Sequence, residues 1–132
     1  MRRLNKQTQI EVLKKAKEIN LGSKGWGMCW CIDRAIVAIV KYPTDLSDYY
    51  GYDYIKSLIP KFNYSHIIKI CKKNNLDYRE NSKNSYWFHF NERGFEARLK
   101  CYDLLIEELQ TEKNFIEKTF NFLLKPILHI LD

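Results

Sequence analysis

The sequence lacks an apolar run long enough to cross a bilayer. Its longest, Met28 to Val40, is broken by Asp33 and Arg34. It lacks a Walker loop, because no Gly-Lys-Ser/Thr follows Gly22-Ser-Lys-Gly-Trp-Gly27 at the required spacing, which argues against a nucleotide-hydrolysing P-loop. No carboxylate pair stands out as an acid–base couple, and Glu107-Glu108 reads as a solvated helix face. There are only 3 histidines, and no local signature ties one to a cysteine. Repeats, low-complexity tracts and interdomain linkers are missing too. The polar start, Met-Arg-Arg-Leu-Asn-Lys-Gln, does not read as a signal peptide. These gaps point away from membrane proteins, repeat arrays and the common enzyme classes.

What is present is a chain of 132 residues, long enough to bury a core as a single domain over 1–132. The formal charge of +6 is unevenly spread. Residues 1–34 hold eight basic and three acidic side chains, and residues 61–100 hold nine and four. Residues 101–132 reverse the balance, three to six. A basic side favours phosphate-bearing ligands, and a complementary acidic side favours self-association. A homo-oligomer is therefore among the expected states.

The four cysteines, Cys29, Cys31, Cys71 and Cys101, sit in apolar segments and are expected reduced and buried. Zinc is not expected, since Cys29 and Cys31, two apart on a helix, face different ways, and His66 and Cys71 are badly spaced. Cys29 is the best-placed nucleophile, because a helix start lowers a thiol pKa, but no base is tied to it. No cofactor or metal is expected.

Thr8-Gln-Ile-Glu11 reads as a capping box opening a helix with Ile10, Leu13, Ala16 and Ile19 inward, closed by a left-handed Gly22. A glycine-rich connection leads to a buried helix over Met28–Lys41, with a buried strand as the weaker alternative. Residues 42–54 form a loop carrying Tyr42, Tyr49, Tyr50, Tyr52 and Tyr54, either a recognition loop or a cap folded over the core. A short helical turn over Tyr54–Ile59 stops at Pro60, and Asn63 caps a helix to about Asn74. Residues 76–80 and 85–90 predict a β-hairpin. Phe95, Leu99, Tyr102, Ile106 and Leu109 mark a helix, and a last one runs from about Thr111 to Leu131 with a bend at Pro126. The fold class is mainly α with a small β-hairpin (α+β), a compact single domain of about five helices.

The segment Tyr86-Trp87-Phe88-His89-Phe90 carries the functional reading. On a strand Tyr86, Phe88 and Phe90 share the core face, while Trp87 and His89 share the other. Arg79, Lys83, Arg93 and Arg98 are expected nearby, and rings beside guanidinium groups suit a base-and-phosphate ligand. Lys24 and Trp26 of the glycine-rich connection join the set, as an anion cradle and a stacking ring.

Gly27-Met-Cys29 at the head of an apolar helix, Leu58-Ile-Pro60 with Lys61-Phe-Asn63, Tyr86-Trp-Phe88, and Arg98-Leu-Lys-Cys-Tyr-Asp103-Leu-Leu-Ile-Glu107 form a pattern. Over about residues 8–110 it resembles small accessory proteins of phage and prophage genomes. Met28 and Tyr102 stand where that group usually has leucine, and the proline that often follows the tryptophan motif is absent. The resemblance implies a phage-encoded, non-enzymatic protein acting in the cytoplasm of a bacterial host cell against host defence. It would capture an anionic nucleotide signal or, alternatively, block a bacterial defence protein or a nucleic-acid surface in the manner of an anti-CRISPR inhibitor.

Overall fold

The computed structural model describes residues 3–40, 52–81, 85–88 and 92–131, the side chains of 81, 85 and 113–131 excepted. Its first helix, α1 (Lys6–Gly22), starts earlier than the capping box suggests. Asn5 is the cap, its Oδ1 accepting from the Thr8 amide at 2.8 Å. Thr8 is thus the recipient of the cap and not the cap itself. At the other end no glycine adopts positive φ among the described residues. The helix closes at Ser23, whose amide donates to Asn20 O at 3.2 Å, so Gly22 is not a left-handed cap.

Ile10, Val12, Leu13 and Ala16 are buried along α1, while Ile19 is half-buried. They pack on α2 (Met28–Val40), whose Met28, Cys31, Ile32, Ala35 and Ile36 repeat at helical spacing and form its inner face. The helical reading of this apolar stretch holds. α3 (Tyr52–Leu58) begins two residues before the expected turn and ends ahead of Pro60. It buries Ile55 and Leu58, and the Leu4 amide donates to Leu58 O at 3.0 Å.

α4 (Tyr64–Lys73) is bounded as the sequence indicates. Asn63 Oδ1 accepts from the His66 amide at 2.9 Å. At the C-terminus Asn75 has φ 55°, Leu76 N donates to Cys71 O at 2.9 Å, and Asn75 N donates to Lys72 O at 3.4 Å. That is a Schellman closure in which asparagine takes the left-handed position usually given to glycine.

β1 (Tyr78–Asn81) and β2 (Ser85–Phe88) form the antiparallel hairpin, pairing Tyr78 with Phe88 and Arg79 with Trp87. α5 (Glu92–Leu131) replaces the two expected terminal helices with one of 40 residues. Thr111 could cap a new helix, but no Pro or Gly near it blocks the existing one, so nothing divides it. Pro126, where a bend is expected, lies inside this span. Phe95, Ala97, Cys101, Tyr102, Leu105 and Leu109 turn inward, Tyr102 fully buried at the centre. One continuous core cluster draws on α1–α5 and β2. No helix among the described residues is long and apolar enough to cross a membrane.

Candidate functional site

The glycine-rich connection and the hairpin meet. Gly25, Gly27, Met28 and Cys29 on one side and Tyr86, Trp87 and Phe88 on the other enclose a cavity of about 190 Å³, with Tyr64 and Arg98 completing the wall. A Cβ built on Gly25 or Gly27 would meet nothing within 4 Å, so both glycines front open space. The volume falls below the ~300–1,000 Å³ of pockets that hold whole ligands. It suits one ring system.

Why the loop stands where it does was not legible in the sequence. Asn20, fully buried at the end of α1, donates from Nδ2 to Ser23 O at 3.2 Å and to Trp26 O at 3.0 Å. Arg98 Nε donates to Asn20 Oδ1 at 3.3 Å, and Arg98 Nη2 donates to Lys24 O. Arg98 is only 5% exposed. It is a clamp that holds the loop and forms part of the cavity wall, not the surface phosphate contact expected from its position in a basic run. Its guanidinium also sits 5.6 Å over the Phe95 ring, which shares its other cation, Lys24 Nζ, at 5.3 Å.

The two faces of β2 divide as the strand period requires. Phe88 is 5% exposed and Trp87 37%. Arg79, paired with Trp87 across the hairpin, lays its guanidinium 5.7 Å from the ring centre. Tyr86 joins the wall, its hydroxyl 3.9 Å from Met28 Sδ and its ring edge-on to Tyr64 and Phe88. Tyr64 in turn stacks on Tyr52 at 3.8 Å. Tyr52 and Tyr54 belong to α3, not to a loop as expected, and pack against the core. Tyr42, Tyr49 and Tyr50 lie outside the described residues.

Other expected members are elsewhere. Trp26 is 48% exposed but stacks on Trp30 at 4.2 Å, outside the cavity, with Arg34 5.1 Å from the Trp30 ring. Arg93 is exposed and pairs with Asp77 at 3.4 Å. Lys83 and His89 lie outside the described residues. The structure therefore brings Trp87 and Arg98 to the cavity wall, sets Lys24 and Arg79 beside it, and leaves Trp26 and Arg93 apart.

Burial decides the Cys29 thiol. Desolvation pushes Cys29 up to about 11, overriding the lowering expected at a helix start, so at neutral pH it is a poor nucleophile. Cys31, Cys71 and Cys101 are buried, and all four cysteines are free. Among the described residues no three His, Cys, Asp or Glu side chains converge to hold a metal ion.

A second and larger cleft, of about 570 Å³, opens between α4 and α5 around His66, Lys69, Ile70, Leu104 and Glu108. Glu108 is not the freely solvated residue expected. Its Oε2 meets His66 Nε2 at 2.6 Å and Lys61 Nζ at 3.5 Å. The spacing of His66, Lys69, Ile70 and Lys73 on one helix face was the available signal. No protein-family model, curated protein or solved structure matches this chain.

Proposed function

We propose that this chain is a non-enzymatic binding protein that sequesters a small anionic nucleotide signal, holding its base in the cavity between the glycine loop and the hairpin. The observation that carries this reading is a ring-sized cavity flanked by an exposed indole, with side-chain-free glycines on the facing wall. The base stacks near Trp87, and the phosphates turn outward to Lys24, Arg79 and the loop amides. The protonated Cys29 thiol supports binding over covalent chemistry. The assignment to a phage-type anti-defence protein in a bacterial host cytoplasm, and to an oligomer, rests on the sequence motifs and charge pattern alone.

A second reading, a protein- or nucleic-acid-surface inhibitor, is favoured by the outer face of α2. There Trp26 stacks on Trp30, Arg34 lies over the Trp30 ring, and Val37 is exposed on the same helix face. Native mass spectrometry and thermal shift with a panel of cyclic and linear nucleotides separate the two. A ligand that binds only the folded state raises its apparent stability. One saturable nucleotide adduct, lost in Trp87→Ala, is the expected result. No shift with any nucleotide, beside tight capture of a host defence protein that Val37→Asp abolishes, selects the second reading.

A further inference from the structure

The cleft between α4 and α5 has a built acidic wall and an unmatched basic one. On the acidic side Lys6 and Lys61 reach Glu112 at 3.0 and 2.7 Å, and Lys61 and His66 share Glu108. Burial alone would lower the Lys61 pKa, but Glu112 and Glu108 outweigh it and hold the ammonium above its ordinary value. Glu108 and Glu112 thus face the cleft with their charge met by Lys6 and Lys61, and Glu108 also takes a hydrogen-bond contact with His66.

Lys69 and Lys73 differ. Both are exposed and line the same cleft, and neither makes an ion pair among the described residues. They stand four residues apart on α4, so their stems rise side by side, about 5–6 Å apart at Cβ. Two ammonium groups at that spacing can meet separate oxygens of one phosphate as point charges. Ile70 and Leu104 give an apolar floor between the walls, while Asn74, Thr111 and Glu107 offer partners to hydroxyl groups. The volume, about 570 Å³, lies within the ~300–1,000 Å³ range of small-ligand sites.

We propose that this cleft is a second ligand site, one that takes a phosphate monoester carried on a hydroxylated body. Lys69 and Lys73 hold the phosphate, and Glu107, Asn74 and Thr111 hold the hydroxyls. The paired glutamates keep a bare divalent cation from competing, because their charge is already met. This site does not depend on the reading of the hairpin cavity. The same chemistry is presented by a sugar phosphate and by a nucleoside monophosphate, and the experiment distinguishes them.

The full-length ¹⁵N-labelled protein is titrated separately with ribose 5-phosphate, AMP, ribose and inorganic phosphate at about 50 mM salt, where surface charges are weakly screened. Ribose 5-phosphate or AMP should shift amides in 66–74 and 104–112 with a Kd below about 1 mM, and ribose should not. Tighter binding of the first assigns a sugar phosphate, and tighter binding of the second a nucleotide. Lys69→Met with Lys73→Met keeps the stems and the helix propensity, so the variant should fold, yet bind about tenfold or more weakly. Trp87→Ala should leave this binding unchanged. The proposal is overturned if inorganic phosphate binds as tightly as either ester. It is equally overturned if the double variant binds like the parent, if shifts fall only on 25–28 and 86–88, or if nothing saturates by about 10 mM.

Discussion

Truncating two neighbours on β2 should give opposite results. Phe88 is 5% exposed and packs within the core cluster, so Phe88→Ala removes a ring from a filled space. Such a cavity costs about 3–5 kcal/mol. In a domain of this length each kcal/mol lowers the melting temperature by roughly 3–5 °C, so the loss should be on the order of 10–20 °C. Trp87, at 37% exposure, has less to lose. Its stacked Arg79 is worth about 0.5–1 kcal/mol at an exposed site, and partial burial of the ring adds a similar amount. Trp87→Ala should therefore melt within roughly 5–8 °C of the parent. Far-UV circular dichroism gives both melting curves, and repeating them with the nucleotide panel gives the functional half of the test. Trp87→Ala should lose the ligand-induced rise; Phe88, which also lines the cavity, serves as the stability comparison alone. Equal melting losses in the two variants would show that the strand does not present alternate faces as described. A ligand-induced rise that survives Trp87→Ala would remove the indole from the site.

Three further outcomes follow from the same geometry. Arg98→Met should destabilise by about 2–4 kcal/mol, because Lys24 O and Asn20 Oδ1 lose a charged donor, and amide exchange over 23–27 should quicken; unchanged exchange there would mean that the clamp does not hold the loop. Hydrogen bonds from Lys61 and then Lys6 outweigh burial and hold Glu112 below the ordinary carboxylate range, so its stabilisation is present above pH 4.5 and fades as pH falls through the lowered value. Glu112 is 43% exposed, and solvent screening keeps the effect below about 1 kcal/mol; melting curves of the parent and Glu112→Gln should differ at pH 7 and converge toward pH 3, and a gap that widens in acid would reverse the sign. In native protein the thiol reagent DTNB should react slowly, with Cys29 protonated and the other three buried; rapid stoichiometric reaction would contradict that burial.

The inner face of α1 was legible because apolar spacing decides which side is buried, whereas α2, expected buried, has an outer face on which Arg34, Val37 and Ala38 are exposed. The N-cap of α4 was legible because Asn63 is a favoured cap residue placed just ahead of the apolar spacing, whereas the left-handed closure at Asn75 was not. The start of α1 was not, since Asn5 and Thr8 are both good caps, and the choice between them depends on how Leu4 docks against Leu58. The junction near residue 110 misled for want of a positive signal: a helix continues wherever nothing stops it. In the site, Trp87 was found by strand period, a local rule. Arg98 was misassigned because a basic side chain in a basic run reads as surface, and only its partner Asn20, 78 positions away, shows otherwise. The α4–α5 cleft was missed for a related reason. Glu107 is exposed as expected, but Glu108 looks solvated only until His66 and Lys61 are brought against it.

The contact between Arg98 and the loop also sets an order of events. Asn20, the glycines and α2 are all synthesised well before residue 98, and Asn20 meets the Ser23 and Trp26 carbonyls locally. Yet Lys24 O is met and Asn20 itself is fixed only when α5 docks, across separations of 74 and 78 residues. Contacts that distant form after the local helices, since the chain between them must first be closed. The emerging chain therefore carries a glycine segment that is only partly fixed, and the cavity is among the last features to be completed. Any partner that reads this cavity reads a chain in which α5 has already docked.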